Sequence, residues 1–397
     1  MIAMIIISLY EYTFTLFEKP VGQYFHWSEP TVAAVFSIYI IVEAFSMILG
    51  GHLADRYGPR WVATVGGVLA GFGWIMAAHV STPATFYLVY AIGSVGPGFV
   101  YATAVGSTVK WFPNDRKIRG LALGFVTGAF GAGSALFIPM IGKLIDKVPT
   151  GFLQAFSTFG IVQLIVIVLI AQFMTYPAVS AASSAEVERE RQFTPKTMLA
   201  TSQFWIVWVI FALVVAGGQV TVAHIASVGT TFKFAAAAVL AIVAISRIFN
   251  GIGRVVIGGI SDIIGRERSL TIFLTLMAVC LFGTTLARHN LTLFGVLSVA
   301  TLFFWGPIFT LVPATLGDYF GSKNASYNYG VMSTAKALGG LYAGLLSGLL
   351  FTALSSWIPV LDLSAAMVFV AALLALALKS PQPVAKPLPK TNSATMA

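Results

Sequence analysis

Residues 51–58 read Gly-His-Leu-Ala-Asp-Arg-Tyr-Gly, and residues 258–265 read Gly-Gly-Ile-Ser-Asp-Ile-Ile-Gly. Both contain the pattern G-x-x-x-D-x-x-G, displaced by 207 residues, about half of the 397-residue chain. The first glycine permits close helix approach. The aspartate can hydrogen-bond a neighbouring helix end, and the second glycine supports a tight turn. Two such matches indicate a duplicated chain, as in membrane proteins built from parallel repeats.

The composition is that of a membrane protein. Hydrophobic residues make up 58% of the chain and charged residues only 9%, against roughly 25% charged in an average soluble domain. The net charge of +9 comes from basic residues in short loops between apolar segments, which is typical of membrane topology rather than of nucleic-acid binding. The single Cys280 lies within an apolar run, so neither a disulfide framework nor a cysteine metal cluster is expected.

Twelve apolar stretches are long enough to cross a bilayer as helices. They cover residues 1–17, 31–53, 61–80, 84–110, 120–141, 152–176, 204–228, 235–259, 270–287, 291–316, 326–352 and 357–378. The sequence therefore predicts an all-α membrane protein with twelve transmembrane helices in two pseudo-symmetric six-helix bundles. The first stretch is short and begins at Met1, so a truncated first helix is expected.

The hydrophilic segments set the predicted domains and orientation. Residues 1–176 form the first bundle, 177–203 a linker, 204–379 the second bundle and 380–397 a disordered tail. Of the 23 Lys and Arg residues, fifteen fall on the side of the linker, five on the other side and three inside spans. This positive-inside bias predicts that both termini are cytoplasmic.

The chain resembles the major facilitator superfamily, whose signature loop between spans two and three is similar to residues 51–60. It is similar, more narrowly, to the oxalate/formate antiporter branch of that superfamily. Four stretches carry the narrower resemblance: residues 101–120, 202–205, 249–262 and 328–336. The resemblance implies a secondary active transporter of small organic anions, working by alternating access. We expect no enzymatic activity, no cofactor and no metal, and a monomer in the bacterial inner membrane.

Five ionisable residues lie inside the predicted spans: Arg247, Arg254, Lys336, Glu11 and Glu43. A charge at mid-bilayer costs on the order of 2.5–3.5 kcal/mol, so such residues normally face a bundle interior or an aqueous path. Three cations against two acids leave an excess of positive charge. The pattern therefore predicts a site for a small anion, with a small carboxylate as the partner molecule besides the lipid bilayer.

In the branch that the chain resembles, an arginine and a lysine at the positions of Arg254 and Lys336 bind the two carboxylates of oxalate. Guanidinium offers a planar fork and ammonium a compact charge for such groups. The alternative is that both are structural, paired with Glu43 or with backbone carbonyls. Arg247, seven residues before Arg254 on nearly the same helix face, would widen the anion site or neutralise an acid.

Glu11 and Glu43 depart from the antiporter pattern, in which uncharged polar residues are expected. A carboxyl in an apolar cavity can exchange a proton, which keeps proton-coupled monocarboxylate symport open as an alternative function. The other interpretation is a permanent ion pair of Glu43 with Arg247. His224 would be either a proton relay or a hydrogen-bonded packing residue. A membrane sensor that does not transport is a distant alternative.

Two further groups of residues complete the predicted site. By resemblance of their surroundings, six aromatic residues are placed around the anion: Tyr12, Tyr101, Phe130, Trp305, Phe309 and Tyr329. The repeated loops supply a predicted cytoplasmic gate, made of Gly51, Asp55, Arg56, Asp262 and Arg266.

Overall fold

The helices follow the apolar stretches of the sequence. A computed structural model describes residues 1–113, 118–177 and 192–381, and the regular structure within these ranges is helical. The helices are α1 Ile2–Tyr12, α2 Thr15–Phe25, α3 Glu29–Tyr57, α4 Pro59–Ala77, α5 Pro83–Trp111, α6 Arg119–Gly133, α7 Ile138–Lys147, α8 Gly151–Ala171, α9 Pro195–Leu199, α10 Ser202–Thr231, α11 Ala236–Ile264, α12 Arg266–Leu286, α13 Leu291–Trp305, α14 Ile308–Phe320, α15 Ala325–Met332, α16 Thr334–Leu341, α17 Ser347–Leu354 and α18 Ile358–Leu376. A 3₁₀ turn at Ser134–Leu136 and a π-helical turn at Tyr342–Leu346 join neighbouring helices.

Eleven helical segments within the described ranges are long and apolar enough to cross a membrane, counting α6 with α7, α13 with α14, and α15 to α17 as one segment each. They correspond to the second to twelfth predicted spans. The first predicted span, 1–17, instead contains the shorter apolar helix α1 and the start of α2. The two helices meet at Thr13, whose hydroxyl donates to the Leu9 carbonyl at 2.6 Å. Such side-chain bonding to the preceding turn bends helices.

Both repeated loops contain a glycine in the left-handed region. Gly58, between α3 and α4, has a φ of 92°, and Gly265, between α11 and α12, has a φ of 94°. A side chain at these positions would be strained, which explains the second glycine of each repeat. The tight turns predicted from the pattern are confirmed at both places.

The two halves of the sequence form two packed groups of helices. In the first half α4 packs on α5 and α8; in the second half α12 and α10 pack on α18. The halves meet where α3 lies against α15 and α16, and where α6 lies against α11. At one end of the bundle lie the loops at residues 51–60 and 258–268, together with the turn between α14 and α15; we call this end the basic face. Residues 178–191 of the predicted linker and 382–397 of the predicted tail lie outside the described residues.

Glycines set how closely the halves approach. At Gly51 an added Cβ would collide with the backbone of Ser326, and at Gly120 with the backbone carbonyl of Gly258. Both contacts join opposite halves near the basic face. Small residues here let helix backbones touch directly, so the repeated loops fix the distance between the two groups of helices.

Candidate functional site

Arg254 lies at the centre of the interface between the halves. It projects from α11 and is 1% exposed. Its Nη1 donates to the Thr127 carbonyl at 2.9 Å, and its Nη2 donates to Asn250 Oδ1 at 3.2 Å and to the Tyr12 hydroxyl at 3.3 Å. Its Nε has no hydrogen-bond partner in the part of the chain that the structure describes. Among the described residues, Arg254 makes no ion pair with a carboxylate, so its charge is met only by neutral oxygens.

Lys336 is paired with an acid of the other half. Its Nζ lies 2.6 Å from Glu43 Oε2, and both side chains are almost completely buried. The second oxygen of Glu43, Oε1, has no hydrogen-bond partner among the described residues. The geometry matches the structural alternative for Lys336. It also shows that Glu43 pairs with Lys336 and not with Arg247.

The ring of Phe309 on α14 brings the two cations together. Arg254 Cζ lies 4.8 Å from the centre of this ring, and Lys336 Nζ lies 5.7 Å from it. Lys336 also lies 5.4 Å from the ring of Tyr101, and Arg254 lies 5.9 Å from that of Phe130. The faces of aromatic rings attract cations, so these rings hold both charged groups without neutralising them.

The six aromatic residues expected around the anion are buried and form two groups of ring contacts. In the first group the Tyr101 ring stacks on Tyr329 at 6.1 Å and meets Phe130 edge-on at 5.1 Å, and Phe130 contacts Tyr12 at 5.5 Å. In the second group Trp305 contacts Phe309 at 5.2 Å, and the two cations lie close to rings of both groups. The Tyr101 hydroxyl has no hydrogen-bond partner among the described residues. An unpaired buried hydroxyl is costly, and this one keeps an unused donor beside Lys336.

The remaining charged residues of the predicted site lie beside these rings. Arg247 Cζ is 5.2 Å from the centre of the Tyr12 ring, and its Nη2 donates to the Val222 carbonyl at 3.0 Å. Glu11 is 4% exposed, and within the described ranges its carboxylate makes no ion pair or hydrogen bond. Within the described ranges neither Arg247 nor Glu11 forms a salt bridge, although the two opposite charges interact electrostatically with each other.

His224 lies away from the cations, against the π-helical turn. Its Nε2 lies 2.9 Å from the Ala343 carbonyl and 3.1 Å from Ser347 Oγ. Its ring packs on that of Trp357, with the ring centres 4.6 Å apart. These contacts match the interpretation of His224 as a hydrogen-bonded packing residue.

On the basic face, the aspartate of the first repeat bridges the two halves. Asp55 Oδ1 pairs with Lys110 Nζ at 2.8 Å, and its Oδ2 accepts from the backbone amide of Tyr327 at 2.9 Å. Tyr327 lies in the first turn of α15. A carboxylate at a helix start satisfies an unpaired amide and complements the helix dipole.

The aspartate of the second repeat makes the equivalent bridge in the opposite direction. Asp262 Oδ1 accepts from the amide of Gly120 and its Oδ2 from that of Leu121, both at 2.8 Å, in the first turn of α6. Arg266 Nη2 pairs with Asp262 Oδ1 at 2.7 Å. Each repeat thus caps a helix of the other half, as the sequence pattern suggested for the aspartates.

The structure adds two residues to this network that sequence reasoning did not place there. Asp318 Oδ1 lies 2.5 Å from Arg119 Nη1, and its Oδ2 accepts from Arg266 Nε at 2.9 Å. The sequence feature that could have placed them there is that Asp318 and Arg119 are oppositely charged residues next to the ends of predicted spans. Arg56, by contrast, is exposed and lies over the Tyr57 ring. It joins none of the ion pairs found among the described residues.

The fold and the site define a multi-pass membrane protein with a buried cationic centre between two halves that are locked together at the basic face. The Major Facilitator Superfamily model matches residues 1–344. The chain belongs to this superfamily of membrane transporters.

Among curated relatives, the chain is 32% identical to the oxalate:formate antiporter of Oxalobacter formigenes, over 88% of this chain and 82% of that protein. It is 26% identical to the uncharacterized MFS-type transporter YhjX of Escherichia coli (strain K12), over 83% and 81% of the two chains. Among solved structures, the proton:xylose symporter XylE superposes with a TM-score of 0.77 at 14% identity, covering 95% of this chain and 94% of that one. This structural likeness concerns the fold alone.

Proposed function

We propose that the protein is a secondary active transporter that exchanges small carboxylates of the oxalate and formate type by alternating access. The observation that carries the proposal is Arg254, a buried cation at the junction of the halves that has no acidic partner among the described residues. The similarity to an oxalate:formate antiporter over most of the chain supports the choice of substrate class.

The chemistry of the centre suits a small anion. A buried charge without a counter-ion is costly, and a bound carboxylate offsets that cost. At about 4 Å and an effective dielectric constant near 20, one such contact contributes on the order of 4 kcal/mol before desolvation. Arg254 Nε and the Tyr101 hydroxyl, both without a partner in the described structure, are donors that a carboxylate can use. The surrounding aromatic rings exclude water and leave little room for a large polar substrate.

In the proposed alternating-access cycle, the contacts on the basic face keep the central site closed toward that side of the membrane. We assign Gly51, Asp55, Asp262 and Arg266 to this gate, together with Asp318, which the structure adds. Their bridges must break for the centre to open toward the basic face. In this proposal the basic face and both termini are cytoplasmic, the bilayer is a bacterial inner membrane, and one chain suffices for transport.

Counterflow in proteoliposomes tests the function. Vesicles loaded with unlabelled formate should accumulate labelled formate, and Arg254→Gln should abolish this accumulation. Arg288→Gln, which alters an exposed arginine in the loop after α12, serves as the matched control and should transport normally. Exchange by Arg254→Gln at the normal rate would refute the assigned site. A purified wild-type protein that moves no carboxylate would refute the function.

Cysteine labelling tests the orientation. In a Cys280→Ser background, we expect Arg268→Cys, on the basic face, to react with a membrane-impermeant maleimide only in inside-out vesicles. Lys19→Cys, exposed at the opposite end, should react only in right-side-out vesicles. The reverse pattern would invert the proposed topology.

A further inference from the structure

We infer that Glu43 makes the central site selective for anions that carry a single carboxylate group. The inference rests on the proposed transport of carboxylates. It specifies which members of that substrate class the site takes, and it assigns to Glu43 the role of an internal counter-ion.

One of the two central cations, Lys336, is already paired with an acid of the protein. Glu43, on α3, and Lys336, on α16, form an ion pair at 2.6 Å between the two halves. Both side chains are at least 97% buried, so the pair is not weakened by water as a surface pair would be. A substrate carboxylate that binds Lys336 must first displace Glu43. It would then leave a buried carboxylate without its partner, which is strongly unfavourable.

Arg254 keeps one donor that no described residue uses. Its Nε lacks a hydrogen-bond partner within the described ranges, and its other nitrogens contact only neutral oxygens there. Arg247 is engaged elsewhere. Its Cα lies about 10 Å from that of Arg254 along the helix axis, and its guanidinium group donates to the Val222 carbonyl and lies over the Tyr12 ring.

Glu11 adds negative charge near the Glu43–Lys336 pair. This buried acid interacts electrostatically with Lys336 and Glu43, and also with Arg247. A second substrate carboxylate on the Lys336 side would therefore meet two protein carboxylates. Like charges in a buried site are costly, so the acids oppose a dicarboxylate while leaving the Arg254 position free for one carboxylate.

The experiment compares mono- and dicarboxylates of similar size in the full-length protein. Counterflow is measured with formate, acetate, oxalate and malonate, for the wild type and for Glu43→Gln. We expect the wild type to prefer the monocarboxylates. Glu43→Gln frees Lys336, so the ratio of oxalate to formate transport should rise by more than about tenfold, one factor of ten in relative affinity. Glu43→Asp keeps a carboxylate at this position and should retain the wild-type ratio of oxalate to formate transport. Asp146→Asn, which alters an exposed acid on α7, should also leave this ratio unchanged.

A second variant and a second readout cover the case in which Glu43→Gln folds poorly. Glu43→Gln with Lys336→Gln removes both charges and should keep formate exchange through Arg254 while still rejecting oxalate. In detergent, oxalate should raise the melting temperature of Glu43→Gln more than that of the wild type. An unchanged oxalate-to-formate ratio, or a wild type that prefers oxalate, overturns the inference while leaving carboxylate transport intact. Loss of every carboxylate flux in the wild type overturns the proposed function instead.

Discussion

The carboxylate of Asp55 accepts a hydrogen bond from the backbone amide of Tyr327 at 2.9 Å, although the two residues lie 272 positions apart. Asp262 makes the matching bond to Gly120, from the second half back to the first. Each repeat therefore satisfies an amide at a helix start in the other half. These reciprocal caps join the two halves at the basic face, and the proposed alternating-access cycle requires them to break.

Asp55→Asn should loosen the basic face. Amide oxygen is a weaker acceptor than carboxylate, and losing such a cap costs about 0.5–2 kcal/mol, which raises the open population roughly two- to thirtyfold. The measurement is maleimide labelling of Val109→Cys, a buried position behind the gate, in a Cys280→Ser background. The control is Arg56→Gln, which removes an exposed neighbour outside the network and should not change the labelling rate.

Gly51→Ala should prevent full closure of the same face. The added methyl group meets the backbone of Ser326, which cannot move aside like a flexible side chain. Overpacking of this kind costs about 1–3 kcal/mol, so exchange should slow severely while the protein still inserts into the membrane. Gly142→Ala is the matched control because its added methyl group meets open space. Equal exchange rates for the two variants would contradict a role for the close contact.

Phe309→Leu should weaken anion binding without opening the core. The leucine keeps apolar volume but removes the ring that Arg254 and Lys336 share. A cation–π contact contributes about 0.5–2 kcal/mol, so the half-saturating anion concentration should rise roughly two- to thirtyfold. Phe249→Leu, at a half-exposed position on α11, should leave it unchanged. An unchanged half-saturating anion concentration in Phe309→Leu would argue against a role of this ring in holding the two cations for anion binding.

His224→Gln should reduce stability and leave transport chemistry unchanged. The imidazole bonds the Ala343 carbonyl and Ser347 beside the π-helical turn, and a lost hydrogen bond costs about 0.5–1.5 kcal/mol. We therefore expect a lower melting temperature in detergent and an exchange rate with the same dependence on pH. His289→Gln, at an exposed position, should change neither property. A flattened pH profile in His224→Gln would instead support the proton-relay interpretation.

Local features of this chain followed from its sequence because their causes are local. The apolar stretches became helices, and Gly58 and Gly265 took the left-handed conformation that their repeated turns require. The family was also recognisable, since the repeat at residues 51–58 and 258–265 survives as a pattern. The interruption of the first span at Thr13 was missed, because hydropathy does not register a side-chain bond to the preceding turn.

The sequence did not determine how the buried charges pair. From the sequence, Arg247 and Lys336 were comparable partners for Glu43, because the spacing of residues within one helix does not indicate which helix lies opposite. The packing of α3 on α15 and α16 placed Glu43 against Lys336, 293 residues away. The same packing left Arg254 without an acid among the described residues. Sequence alone determined the second to twelfth spans, the turns and the excess of buried cations. Tertiary structure decided which cation is neutralised, because ion pairing depends on distances of a few ångströms between separate helices.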